Sequence, residues 1–169
     1  SEQAATAAKD QASHLMNAER AHLVYRDFKV TDTRTAAQRI HTAAADGGSI
    51  EVTMGIHNFG RTPAWIVEGW SQATLTSEAL KCADLKKTNS AFLNPMPILP
   101  NVIDAPGTMK LRPDQWDDII SRRRTLYVFG GIKYRDIFGQ EHYSGFAMRY
   151  VHPDNEFEPV CIKTHWEYS

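Results

Sequence analysis

The chain has 169 residues, a formal net charge of -1 and a 42% apolar, 23% charged composition. That size suits one compact domain with an appendage. The near-neutral charge gives no footprint for nucleic acid or an anionic membrane surface, and no apolar run reaches the roughly 20 residues a spanning helix needs.

The chain opens at Ser1 without a charged-then-apolar leader. Residues 1–21 are alanine-rich, with Leu15, Met16 and the pair Glu19-Arg20, and no Gly or Pro interrupts them. Alanine has the highest helix propensity, so this stretch is predicted to be a helix, read as the end of a longer stalk continuing upstream. Its alanine face is too small to bury much area and has no heptad pattern, although self-association through the stalk would suit it.

Residues 22–169 are read as a β domain. Val24, Tyr25, Phe28 and Val30 mark a first strand. Residues 33–45 read as a short helix ended by Asp46-Gly47-Gly48. Ile50, Val52, Met54 and Ile56 alternate with Glu51, Thr53, Gly55 and His57, the clearest strand in the chain. A turn over 58–63 then leads to a strand over 64–70.

Beyond it, residues 77–85 are expected to form a helical turn or two. Residues 94–100 are expected to be irregular, because three prolines remove donors and restrict their predecessors. Ala105-Pro106-Gly107 fits a type II turn before a short strand over 108–111. Pro113 to Arg122 is predicted to be a helix with aspartates early, arginines late and Trp116, Ile119 and Ile120 as its apolar stripe.

Thr125 to Val151 reads as one long hairpin turning at Asp136-Ile137-Phe138-Gly139. A last strand is expected over 160–167. Six or seven antiparallel strands of this kind normally close as two packed sheets.

Two stretches carry a family resemblance. Asn58-Phe59-Gly60-Arg61-Thr62-Pro63-Ala64 resembles an N-x-G-x-T-P-A strand-turn-strand signature. The run from Leu126 to Gly139 resembles a LYVYG-x-I-x-YRD-x-FG hairpin. Both are similar to segments of a large group of bacterial proteins in which a membrane-spanning helix precedes an alanine-rich stalk and a C-terminal immunoglobulin-like β-sandwich. This chain departs from that pattern in lacking the spanning helix. The resemblance implies a membrane-anchored protein with an extracytoplasmic β-sandwich, anchored through a region outside this chain, and it supplies no catalytic residues.

The chemistry-bearing residues are sparse. His14, His22, His41, His57, His142, His152 and His165 show no HxH or HxxxH spacing; His142 and His152, with Asp154 and Glu156, are the one pair considered for convergence on zinc. Asp154-Asn155-Glu156 lacks the glycine of a calcium loop and reads as a turn. Arg122-Arg123-Arg124 could contact phosphates, but three basic residues closing a helix also satisfy its dipole. Cys82 and Cys161 lack metal spacing; a bridge between them would close a loop of about 80 residues and stabilise by about 4 kcal/mol. No GxSxG motif or phosphate loop is present, and Gly130-Gly131 in mid-hairpin marks a bulge or a close backbone approach.

No catalytic residue, cofactor, metal or nucleic-acid partner is therefore expected. Tyr127 and Phe129 sit on the opposite face of their strand from Val128 and need a cover: the 113–124 helix, the proline-rich loop or a partner. They are the expected interaction surface. The reading is a non-enzymatic, protein-binding domain; the alternative is a small-molecule site with an aromatic-lined apolar pocket.

Overall fold

The computed structural model describes residues 2–32, 50–81, 97–100 and 103–160. Helix α1 spans Glu2–Glu19, and residues 3–12 are exposed throughout, as expected for an alanine-rich helix with no large apolar stripe. Eight strands follow among the described residues: β1 Leu23–Asp32, β2 Ile50–Asn58, β3 Ala64–Thr76, β4 Pro97–Ile98, β5 Ile103–Leu111, β6 Thr125–Asp136, β7 Glu141–Val151 and β8 Glu156–Pro159. Helix α2, Pro113–Ile120, lies between β5 and β6.

The strands form two antiparallel sheets, ordered β1-β2-β5 and β4-β3-β6-β7-β8. The chain changes sheet between β2 and β3, between β4 and β5, and between β5 and β6. The expected mainly β, two-sheet architecture is thus present.

The main core lies between the sheets. Val30, Ile50, Val52, Met54 and Leu111 of the smaller sheet meet Leu126, Val128, Phe146 and Tyr150 of the larger one, with Ile119 of α2 at one end. Tyr25 and Phe28 of β1 tilt against the Phe146 ring at centroid distances of 4.3 and 5.1 Å. Toward the other end Leu23, Ile56, Ile66, Ile98, Ile132 and Tyr134 make a second buried cluster. Each fully buried aliphatic or aromatic side chain contributes on the order of 1.5–3 kcal/mol, so these two clusters dominate stability.

The hairpin forms as expected. Asp136 N–H donates to Gln140 O at 3.0 Å and Gly139 N–H to Asp136 O at 3.0 Å, with Gly139 at φ +78°. This is a tight turn whose last residue needs positive φ, which glycine takes without strain. Gly130 and Gly131 pair in continuous register with Phe146 and Gly145, so no bulge occurs there. A Cβ on Gly130 would lie 2.4 Å from the Trp70 carbonyl oxygen and 2.7 Å from the Phe146 ring. Close approach is therefore the reason for glycine.

Four expectations for strands and loops are corrected. The strand after residue 64 continues to Thr76, because every residue from Gly69 to Thr76 pairs with β6. Residues 77–81 are not helical; they lie against β6, with Leu80 N–H donating to the Tyr127 hydroxyl. Pro97-Ile98, expected to be irregular, pairs with Ala64-Trp65 at the sheet edge. Ala105-Pro106-Gly107 is not a turn between strands but the interior of β5. Asp104 pairs with Ile56 and Gly107 with Met54, leaving one extra residue on β5. A bulge on an edge strand is where a proline, with no N–H to donate, is tolerated.

Pairing with β7 begins at Glu156, earlier than the expected strand over 160–167, and Val160 N–H adds a bond to Ala147 O. The remainder of that expected strand, the predicted helix over 33–45 and both cysteines lie outside the described residues.

Helix α2 starts at Pro113, where its missing N–H costs nothing, and Gln115 Oε1 accepts from the Arg112 N–H at 2.9 Å. It ends at Ile120, two residues earlier than predicted. Arg122 adopts φ +58° and donates to Ile119 O, while Arg123 N–H reaches Asp118 O at 2.9 Å. This double bond pattern caps the last carbonyls, with arginine where glycine is usual.

Candidate functional site

The signature turn after β2 is a structural hub. Asn58 is 1% exposed. Its Oδ1 accepts from His22 N–H at 3.2 Å and Gly60 N–H at 3.0 Å. Its Nδ2 donates to Thr62 O at 2.8 Å and Ile98 O at 3.1 Å. One side chain thus ties the end of α1, the β2–β3 turn and β4 together. A Cβ on Gly60 would lie 2.3–2.6 Å from backbone atoms of Arg20, Ala21 and His22, so only glycine lets the turn touch the helix junction. Phe59 N–H donates to His22 O at 2.8 Å, completing the clasp.

The second signature ends in a buried carboxylate. Asp136 is 2% exposed. Its Oδ1 accepts from the N–H groups of Phe138 and Gln140, each at 2.9 Å, and its Oδ2 lies 2.7 Å from His142 Nε2. Burial pushes this carboxyl up, but the His142, Gln140 and Phe138 donors outweigh it and hold it below the ordinary aspartate value. Outside this pair, Glu141 takes Lys133 and Arg135 at 2.6 and 3.1 Å, and both hydrogen bonds lower its carboxyl. The turn is locked rather than reactive: every lone pair contacted here serves the backbone or a neighbour.

Exposed apolar residues gather around these hubs, among charged neighbours. Phe59 (52% exposed), Trp65, Leu99, Ile137 and Phe138 are exposed large hydrophobic residues. Register places them together at one end. Ala64 pairs with both Asp136 and Ile98, and Leu23 pairs with Asn58. This is the end at which α1 joins the sheets. Among the described residues only Leu15 and Ile120 are further exposed large hydrophobics, on α1 and at the far end. Phe59 is additionally stacked on His57 at 5.6 Å and covered by the Arg26 guanidinium at 5.5 Å. His57 in turn meets Asp27 at 2.6 Å, a residue held at φ +55° in the β1 bulge.

Tyr127 and Phe129 are placed elsewhere. They are 3% and 2% exposed. Phe129 packs edge-on against Trp70 at 6.1 Å, with Ala147, Leu80 and Val160 around that cluster. The cover is the chain's own 77–81 segment and the start of the C-terminal segment, so these two side chains are packing, not a free surface. A continuous buried run along β6 signalled a strand covered on both faces; the identity of the cover had no local signal.

His142 is the second residue of β7 and His152 follows its last, roughly 34 Å apart at the ordinary strand rise, and they do not converge. His152 instead meets the Trp116 ring edge-on at 6.3 Å. Among the described residues no group of three His, Cys, Asp or Glu side chains could hold a metal ion. Nor is any described helix long and apolar enough to cross a membrane.

A cavity of about 230 Å³ lies at the opposite end from α1, lined by Ile119, Arg122, Arg124, Thr125, Arg149, Tyr150, Val151 and His152. It is basic, and Tyr150 and His152 are its ring-bearing residues, unlike the aromatic-lined apolar pocket of the alternative reading.

Fold and sites together define a two-sheet, mainly β domain with a helical N-terminal extension. No protein family, curated protein or solved structure matches the chain.

Proposed function

We propose that this chain is a non-catalytic, protein-binding β-sandwich of immunoglobulin type, carried on a helical stalk in a membrane-anchored bacterial protein. The strand order β1-β2-β5 over β4-β3-β6-β7 supports the immunoglobulin-type reading, since it follows the A-B-E and C′-C-F-G arrangement of such sandwiches. The observation that carries the binding reading is the gathering of Phe59, Trp65, Leu99, Ile137 and Phe138 at the stalk end. Aromatic side chains on rigid turns bury large area at low entropic cost, which suits a contact surface.

The sheet edges support contact through that end rather than by strand addition. β1 and β5 each carry a bulge, β5 also carries Pro106, and β4 and β8 are two and four residues long. These are the devices that discourage edge-to-edge pairing.

The test is cross-linking in cells from a photoreactive residue at position 65 or 138, against one at the far-end position 156. A discrete adduct with another protein from both stalk-end positions, and none from 156, is the expected result. Adducts from all three positions alike, or from none, overturn the reading.

A further inference from the structure

The basic cavity between α2 and the β6–β7 end has a composition that packing does not require. Three of its eight lining residues are arginines and none is acidic. Around it Asp118 is shared by Arg123 at 2.8 Å and Arg124 at 3.5 Å, and Glu158 pairs with Arg149. Asp118 and Glu158 thus engage Arg123, Arg124 and Arg149, whereas Arg122 has no acidic partner among the described residues.

Arg122 also occupies the left-handed position that closes α2, at φ +58°. Glycine is the usual residue there, and a side chain at such a position is a cost that points to a use for that side chain. The negative end of the helix would oppose an anion. Here the carbonyls of Asp117, Asp118 and Ile119 are already taken by the N–H groups of Ser121, Arg122, Arg123 and Arg124 and by the Ser121 hydroxyl. Thr125 adds a hydroxyl, and Ile119, Tyr150 and Val151 add an apolar floor.

We propose that this cavity binds a small phosphate-bearing ligand, the phosphate between Arg122, Arg124 and Arg149 and a short carbon portion on Ile119, Tyr150 and Val151. Guanidinium groups match a phosphate by paired donors and stay charged at all relevant pH values. The volume lies below the roughly 300–1,000 Å³ of drug-sized sites, which suits a compact phosphomonoester. This inference is independent of the stalk-end contact.

The test uses Arg122→Gly, which removes the guanidinium while suiting the backbone conformation. At constant ionic strength set with chloride, inorganic phosphate and glycerol phosphate should raise the Tm of the unaltered protein, and isothermal titration should give saturable binding. Arg122→Gly should itself melt about 2–4 °C higher in chloride. It should nevertheless bind phosphate about tenfold or more weakly, since a lost charge-assisted bond has that size. Arg149→Met should weaken binding likewise. Lys110→Gln, an equal charge change on exposed β5, should leave it unaltered. Absence of saturable phosphate binding overturns the proposal, as do full binding by Arg122→Gly or equal weakening by Lys110→Gln.

Discussion

Replacing Asn58 by alanine is the sharpest probe of how the helix junction is held. The substitution deletes four hydrogen bonds of 2.8–3.2 Å from a side chain that is 1% exposed. At about 1 kcal/mol net per bond the loss approaches ~4 kcal/mol. Water entering the vacated space restores part of it, leaving about 3 kcal/mol. For a chain of this length that is a Tm fall of roughly 6–12 °C. Thermal and urea unfolding measure the total, and amide exchange locates it, because His22 and Gly60 donate to the lost Oδ1 and should lose protection first. Asn58→Asp discriminates further. It keeps the shape but turns two donors into an oxygen facing the Thr62 and Ile98 carbonyls, so at neutral pH it should be at least as damaging as alanine. A loss below about 1 kcal/mol for alanine, or a neutral aspartate, would refute the hub.

Three further outcomes follow from the same geometry. Asp136 is depressed in the folded state, so its contribution is present above the unfolded aspartate value near about 4 and is lost as pH falls through the folded one. Asp136→Asn should therefore be less stable than the parent at pH 7, with the gap closing in acid; urea midpoints that differ by a constant amount across pH 3–7 contradict this. Phe129→Ala should cost about 3–4 kcal/mol, as for a buried aromatic. Phe138→Ala, on an exposed residue, should stay within about 0.5 kcal/mol. Equal costs in chemical denaturation would show that Phe129 is not core. Gly130→Ala should destabilise more than Gly131→Ala, because the first Cβ meets the fixed Trp70 backbone oxygen at 2.4 Å, while the second meets only the far end of the Tyr143 side chain, at 1.8 Å from the hydroxyl and 2.4 Å from the ring, which a rotation can move away. The reverse order of melting temperatures would contradict the close-approach argument.

The parts of this molecule legible beforehand were those in which a local pattern states its own geometry. Ile50 to Ile56 alternates because β2 has one core face and one wetter face, and the Asp136–Gly139 turn needs a glycine at positive φ. Alanine-rich residues 2–19 carry helix propensity in themselves. What misled was context. Ser71 to Thr76 has little apolar alternation, yet it is strand because β6 offers it a partner along its whole length. Pro106 reads as a turn residue unless the bulge opposite Gly55 is known.

The candidate surfaces divide in the same way. Asn58 and Gly60 were visible as a turn signature, but their tie to Arg20–His22 joins residues about forty positions apart. Tyr127 and Phe129 were visible as a second apolar face, and only folding brought Leu80 and Val160 onto that cluster. Residue order by itself determined the elements whose pattern is local, namely α1, the alternating strand β2 and the hairpin turn at Asp136–Gly139, since those depend on neighbours two to four positions away. The tertiary structure alone decided which apolar faces are covered and which charges share a cavity, because these depend on the order of strands within the sheets.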